Sequence, residues 1–161
     1  MKHTVSGLLT HKDLSKIPCL DSRGTLQEAL SVLEETNTGS LLVMENTSIV
    51  GIFSERDFAR ISAFRISPLA MDTKITDLMS KTIVYVTPDY TLDECMAVMC
   101  KMKIRHLPVL EDNIPIALLS MRHIMEALVV ENEFMIGQLV SYITGGPSGS
   151  EKNNRNALIL D

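Results

Sequence analysis

Polar side chains that could bind or react lie at two places in this sequence. Ser54 and Asp57 stand three residues apart just before a predicted helix, which is the spacing with which side chains cap the free N–H groups of a helix start. Arg105 and His106 form a basic pair elsewhere in the chain, and such a pair suits an anion. Capping and ligand binding are both open for Ser54 and Asp57, and one side chain can do both.

The cysteines and histidines show no spacing that is typical of a metal site or a catalytic set. Cys19, Cys95 and Cys100 include no CxxC pair, and three thiols in apolar patterns suit a reducing cytosol better than a disulfide framework. Thiol chemistry at Cys19 is the remaining catalytic alternative. The sequence accordingly predicts a cytoplasmic protein that is not an enzyme and that has no metal and no catalytic cofactor.

The composition is that of an ordinary globular protein, with 45% hydrophobic and 22% charged residues in a chain of 161. The formal net charge is −5, whereas a nucleic-acid-binding protein usually has a basic surplus. No apolar run reaches the length of a membrane span, and the first residues lack a secretory apolar stretch. We therefore expect neither a nucleic acid nor a membrane as a partner.

An internal duplication defines the helices and strands that must position Ser54, Asp57, Arg105 and His106. Residues Ile17–Phe58 recur as Ile83–Ile124 at a constant offset of 66 positions (Thr91 minus Thr25). Both copies contain T-x-x-E just before an apolar stripe of helical period, which is the signature of a capping box. A segment at residues 5–9 also resembles residues 75–79, with an offset of 70.

Each copy reads as a short helix followed by β-α-β-β-α. The predicted strands are 17–20, 40–44 and 49–53 in the first copy, and 83–86, 107–110 and 115–119 in the second. A unit this small cannot bury enough apolar surface alone, and pairing with its twin supplies the missing core. We therefore expect an α/β (α+β) fold with two pseudo-symmetric β-α-β-β-α units packed sheet to sheet.

The predicted organisation has four parts along the chain. The last helix has an apolar stripe at positions 136, 139, 140 and 143, and it needs a partner surface, either its own core or a second chain. Glycine, serine, asparagine and charged residues then dominate, which is typical of a disordered tail. The predicted parts are the first repeat at 1–66, the second repeat at 67–130, an amphipathic helix at 131–144 and a disordered tail at 145–161.

Two motifs in this pattern carry a resemblance to a known family. GIFSERD at residues 51–57 and KIRHLPV at residues 103–109 match the patterns G-h-h-[ST]-x-x-D and I-R-H-L-P-V of CBS domains, named after cystathionine β-synthase. With the duplication, the chain resembles a tandem CBS pair, or Bateman module, like small stand-alone bacterial proteins of this kind. The resemblance covers about residues 3–144.

The resemblance implies a regulatory, energy-sensing module. Its members bind AMP, ADP, ATP, NAD or S-adenosylmethionine between the two repeats, and we expect an adenine nucleotide here. A homodimer acting on an unknown regulated protein is also implied. The alternative is a ligand-free dimeric scaffold that presents its C-terminal helix to a partner protein.

Carried over to this sequence, the resemblance implies one complete nucleotide site. Asp57 would hold the ribose hydroxyls, and Ser54 would lie near phosphate. Arg105 and His106 from the second repeat would neutralise phosphate charge. The residues that would wall the adenine or flank the motif are Ile17, Pro18, Cys19, Thr38, Gly39, Ser40 and Arg56.

The equivalent second cleft departs from the family pattern. His123 replaces the ribose aspartate, and Ala117 replaces the leading glycine. Gly39 and Ser40 occupy the positions of its basic pair and carry no charge. We therefore expect one competent site per chain. The residues of the weak second site would be Ile83, Val84, Ser120 and His123.

Overall fold

The computed structural model describes residues 3–11, 14, 16–64 and 68–144. The first repeat contains α1 (Val5–His11), β1 (Cys19–Asp21), α2 (Leu26–Thr36), β2 (Ser40–Glu45), β3 (Ser48–Ser54) and α3 (Glu55–Ala63). The second contains a 3-10 helix (Ile75–Asp77), α4 (Leu92–Met102), β4 (His106–Glu111), β5 (Ile114–Ser120) and α5 (Met121–Thr144). The chain divides into two units, Met1–Ile124 and Met125–Asp161, so both β-sheets lie in the first unit.

The capping boxes predicted from the sequence are confirmed at both central helices. Thr25 Oγ1 accepts from the Glu28 N–H at 3.4 Å, and Glu28 Oε2 accepts from the Thr25 N–H at 2.7 Å. At α4 the same pair of bonds joins Thr91 and Glu94 at 3.2 and 2.8 Å. Each helix therefore begins at the threonine that the sequence predicts, and two backbone N–H groups at its start are hydrogen-bonded.

The two sheets are similar but not equal. In the first repeat, β1 pairs with β2 in parallel and β2 pairs with β3 antiparallel. In the second repeat, β4 and β5 pair antiparallel, and the strand predicted at 83–86 is reduced to one parallel bridge between Val86 and Val109. The mixed α/β class with two sheets is confirmed, and the difference in strand number has a local cause.

Pro108 accounts for the pairing that is lost at the start of this strand. In the first repeat the Leu42 N–H donates to the Pro18 carbonyl at 2.9 Å, which extends the pairing of β1. Pro108 occupies the position of Leu42 in the second repeat and has no N–H, so the equivalent bond to the Val84 carbonyl cannot form. Val86 alone keeps the ladder, donating to the Pro108 carbonyl at 3.0 Å and accepting from the Leu110 N–H at 2.9 Å.

The segment that precedes each repeat in the sequence is hydrogen-bonded to the other repeat. The His3 carbonyl accepts from the Leu92 N–H at 2.8 Å, and the Thr73 carbonyl accepts from the Leu26 N–H at 2.8 Å. These bonds are equivalent under the offsets of 70 and 66. The first repeat therefore packs the segment after residue 68, although the sequence-based boundary assigns 67–130 to the second repeat. The members of its core are Leu26, Ala29, Leu33, Leu41, Val43, Phe53, Leu69, Ile75 and Leu78.

Helix α5 is continuous over 24 residues, from Met121 to Thr144. The separate helix expected at 131–144 is thus the second half of the helix that follows β5, since no proline or cap interrupts it. The apolar side chains at positions 136, 139, 140 and 143 are 52–80% exposed. Among the described residues no helix is long and apolar enough to cross a membrane. The tail predicted at 145–161 lies outside the described residues.

Candidate functional site

A cleft of about 400 Å³ lies between the two repeats, inside the first unit. This volume is within the ~300–1,000 Å³ range of small-molecule sites. The side chains of the first repeat that line it are Ser40, Ile52, Ser54, Arg56, Asp57 and Arg60. The lining is completed by Ser80, Thr82, Ile83, Val84, Met102, Lys103, Ile104, Arg105, His106 and Pro108.

Ser54 and Asp57 lie together at the start of α3. Ser54 Oγ accepts from the Asp57 N–H at 3.2 Å and donates to Asp57 Oδ2 at 2.6 Å, so the capping arrangement is present. Asp57 Oδ1 is 3.6 Å from Arg60 Nη2, and the Asp57 side chain is 23% exposed. A carboxylate has about four acceptor positions, so capping leaves Asp57 able to accept hydrogen bonds from a ligand.

Arg56 joins the two walls of the cleft. Its Nη1 donates to the Lys103 carbonyl at 3.2 Å, a bond that crosses from the first repeat to the second. Lys103 is the C-cap of α4 and has the left-handed backbone conformation, with φ of 55°. The motif pattern identifies Arg56 only as a variable position, and its partner is a backbone group that no side-chain pattern reveals.

His106 is half-buried at the start of β4. Burial is the main cause that lowers the pKa of His106 from 6.5 to about 4, and the nearby Arg105 and His123 lower it further. The imidazole is therefore neutral at neutral pH and can donate a hydrogen bond without carrying charge. This differs from the expectation that both Arg105 and His106 neutralise phosphate, since only Arg105 of that pair is charged.

Ser40 lines the cleft and is fully buried, although its side chain is polar. Its Oγ has no hydrogen-bond partner in the part of the chain that the structure describes. A buried hydroxyl without a partner costs about 1–3 kcal/mol, so a ligand atom that bonds to it recovers that cost. Ser40 pairs with Ser54 across β2 and β3, which sets its hydroxyl beside the capping motif.

The other residues predicted for the nucleotide site do not line the cleft beside Asp57. Thr38 and Gly39 line a separate depression of the first repeat with Glu34, Asn37 and Glu55. Ile17, Pro18 and Cys19 are not among the residues that line the cleft beside Asp57. Pseudo-symmetry is the reason, because Ile83 and Val84, expected in the weak second site, are the equivalents of Ile17 and Pro18 in the opposite repeat.

Val84 is a cleft residue whose backbone lies outside the regular strand pairing. Lys81–Tyr85 has no regular secondary structure, and Pro108 cannot give the Val84 carbonyl the bond that Leu42 gives Pro18. Val84 also retains an N–H, which Pro18 lacks. The cleft thus offers a backbone donor and acceptor within one residue, a signal that appears only when the two repeats are compared position by position.

The equivalents of Ser54 and Asp57 in the second repeat are Ser120 and His123. The Ser120 N–H donates to His123 Nδ1 at 3.2 Å, and the His123 N–H donates to Ser120 Oγ at 3.2 Å. At both helix starts the serine hydroxyl accepts from the backbone N–H three residues later, so His123 occupies the position of Asp57. It brings no carboxylate, in keeping with the degraded pattern of that half.

The three thiols differ in their burial. Cys95 is buried, and burial, with a smaller effect of the Glu94 charge, raises its pKa to about 11, so its thiol stays protonated. Cys19 and Cys100 are exposed and carry no disulfide. Within the described ranges, no group of three or more histidine, cysteine, aspartate or glutamate side chains could hold a metal ion.

The model of one protein family matches both repeats. The family is described as CBS domain, and the matches cover residues 5–63 and 75–130. Among curated proteins, the chain is similar to the CBS domain-containing protein CBSX3, mitochondrial, of Arabidopsis thaliana, with 30% identity over 127 residues. That alignment covers 76% of this chain and 61% of the Arabidopsis protein, so the chain spans less than two thirds of that relative.

Solved structures of similar proteins have the same fold. A putative signal-transduction protein with CBS domains from Burkholderia ambifaria MC40-6 is 30% identical, with a TM-score of 0.74 over 79% of this chain and 94% of that one. The CBS domain protein PAE2072 from Pyrobaculum aerophilum, complexed with AMP, is 24% identical. Its TM-score is 0.64 over 74% of this chain and 88% of that protein, which shows a shared fold.

Proposed function

This chain belongs to the CBS domain family, and we propose that it is a regulatory module that binds an adenosine-containing nucleotide in the cleft beside Asp57. The observation that carries the proposal is the pairing of complementary groups from opposite repeats. Asp57 comes from the first repeat and Arg105 from the second, and both line one cleft. The AMP bound by the Pyrobaculum protein, which has the same fold, supports the choice of ligand class.

Each part of a nucleotide has a partner of suitable chemistry. Asp57 accepts hydrogen bonds from the ribose hydroxyls. Arg105 and the N-terminus of α3 at Ser54 attract phosphate, as a cation and a helix start do. The buried Ser40 hydroxyl supplies a further hydrogen bond to the ligand. Among the described residues this hydroxyl has no other hydrogen-bond partner.

The base would lie against the second repeat. Ile83 and Val84 give apolar contact, and the Val84 backbone offers one donor and one acceptor to the edge of the base. Adenine presents an amino donor next to a ring-nitrogen acceptor, so a single backbone residue can satisfy both groups. In the proposed site, Ile83 and Val84 take the place expected for Ile17 and Pro18.

Binding would act through the relative arrangement of the repeats. A nucleotide that contacts Asp57 and Arg105 bridges the same two walls that Arg56 joins through the Lys103 carbonyl. It thereby favours the arrangement that it fits best, and a regulated protein reads that arrangement. The proposed protein is a cytoplasmic sensor, and the proposal includes no catalytic step.

Isothermal titration calorimetry with AMP, ADP, ATP and NAD tests the proposal. At least one of the four should bind, and Asp57→Asn should weaken it about tenfold or more, because it removes charge from the hydrogen bonds to ribose. Asp93→Asn is the matched control, since Asp93 is exposed on α4 away from the cleft lining. If none of the four nucleotides binds to the wild type, the proposal fails.

The exposed apolar face of α5 favours a second role, as a dimeric scaffold. Leu139 and Ile136 are 59% and 61% exposed, which suits a helix that packs against a second copy of the chain. Light scattering should give a dimer mass for the wild type and a monomer mass for Leu139→Asp. Gln138→Asp, at a neighbouring exposed position, should remain dimeric. A dimer that binds no nucleotide would favour the scaffold over the sensor.

A further inference from the structure

The cleft beside Asp57 is strongly cationic in an acidic protein. Four cationic side chains line it, and Asp57 is the one carboxylate among its lining residues. The formal charge of the lining is therefore +3, whereas the whole chain has a formal charge of −5. The four cations are Arg56, Arg60, Lys103 and Arg105.

The duplication does not account for this charge. At the equivalent positions of the other repeat, the four cations are replaced by one arginine, one glutamate and two uncharged residues. Those positions therefore have no net charge, although the helices and strands that carry them are equivalent. These four residues, in order, are Arg122, Glu126, Asn37 and Gly39.

The four cationic side chains also differ in the protein groups that they already contact. Arg56 donates to the Lys103 carbonyl, and Arg60 lies 3.6 Å from the Asp57 carboxylate with its side chain 70% exposed. For Lys103 and Arg105, the described residues include no acidic side chain within ion-pair distance. One phosphate group, with about two negative charges, balances only part of the +3 charge of the lining.

We propose that the ligand of this cleft is an adenosine di- or triphosphate rather than AMP or a cationic adenosine compound. The proposal rests on the adenosine site proposed above and specifies the charge of its ligand. ADP carries about three negative charges at neutral pH and ATP about four, which complement a lining of +3. S-adenosylmethionine carries a positive sulfonium and meets repulsion from the same four cations.

Titration of the full chain with AMP, ADP, ATP and S-adenosylmethionine at about 50 mM and about 300 mM salt tests the proposal. ADP or ATP should bind at least about tenfold more tightly than AMP at low salt. The preference should decrease at high salt, because exposed charges are screened over ~10 Å or less. S-adenosylmethionine should bind more weakly than AMP.

A charge-matched pair of variants adds a second readout. Lys103→Gln should reduce the ratio of ATP to AMP affinity about threefold or more, since it removes a cation from the cleft. Lys101→Gln removes the same charge from an exposed position on α4 outside the lining, and it should leave the ratio unchanged. Thermal denaturation of each variant shows whether it is folded.

The outcomes separate this inference from the function on which it rests. AMP that binds as tightly as ATP, with a ratio insensitive to Lys103→Gln, would overturn the charge preference and leave the adenosine site in place. Absence of binding by all four compounds, and by NAD in the earlier titration, would overturn both. Tighter ADP or ATP binding that depends on Lys103 would support both.

Discussion

The neutral state of His106 leads to a measurable pH dependence of stability. The pKa of His106 is lowered from 6.5 in the unfolded chain to about 4 in the folded protein, mainly by burial. The unfolded chain therefore takes up the proton first as the pH falls. Stability is fully present above pH 6.5 and is lost progressively between pH 6.5 and about 4.

The size of this effect follows from the two pKa values. Each pKa unit corresponds to ~1.4 kcal/mol, so the full loss of stability, which is reached below the folded pKa of about 4, is ~3 kcal/mol. Between pH 7 and pH 5 the loss is ~2 kcal/mol, because the folded form is still neutral at pH 5. For a domain of this size that is a substantial part of the total free energy of unfolding.

Urea unfolding followed by circular dichroism at several pH values measures this dependence. His106→Gln, which is uncharged at every pH, should lose ~2 kcal/mol less than the wild type between pH 7 and pH 5. A His106 imidazole that titrates near 6.5 by NMR, or equal pH slopes for wild type and His106→Gln, would refute the reasoning.

Three further predictions concern individual contacts inside the first unit. Arg56→Gln loses the bond to the Lys103 carbonyl and should lower the free energy of unfolding by ~1 kcal/mol, whereas Lys101→Gln, at an exposed position of α4, should not. Gly51→Ala brings a methyl group within 2.8 Å of Met79 Cγ and should cost ~1–2 kcal/mol by urea unfolding, recovered in part by adding Met79→Ala. Ser40→Ala removes a buried hydroxyl without a partner, so it should stabilise the free protein by ~1 kcal/mol while weakening nucleotide binding, as thermal unfolding and titration calorimetry would show. An Arg56→Gln or Gly51→Ala protein as stable as the wild type, or a less stable free Ser40→Ala protein, would contradict the corresponding contact.

Local signals made much of the fold predictable. The T-x-x-E segments at Thr25 and Thr91 mark helix starts because the cap needs only residues three positions apart. The spacing of Ser54 and Asp57 predicts their mutual contact for the same reason. The constant offset of 66 positions predicts two equivalent units, because equivalent apolar positions must form equivalent faces.

Contacts between the repeats were not predictable from those signals. Nothing local indicates that Val84 rather than Pro18 lines the cleft beside Asp57, since that depends on how the pseudo-symmetry places opposite strands. The charge of His106 depends on burial, which a motif does not report. The exchange of segments at His3 and Thr73 left one trace, the offset of 70 in place of 66, but an offset alone does not say which repeat a segment contacts.

The most direct test of the central claim is titration of the wild-type chain and Asp57→Asn with ADP under identical low-salt conditions. One ADP should bind per chain, because the carboxylate of Asp57 and the cation Arg105 lie together in one cleft while their equivalents, His123 and Gly39, lack those charges. Asp57→Asn should weaken that binding about tenfold or more. Equal affinity of ADP for the wild type and Asp57→Asn, or two equivalent ADP sites per chain, would contradict the account.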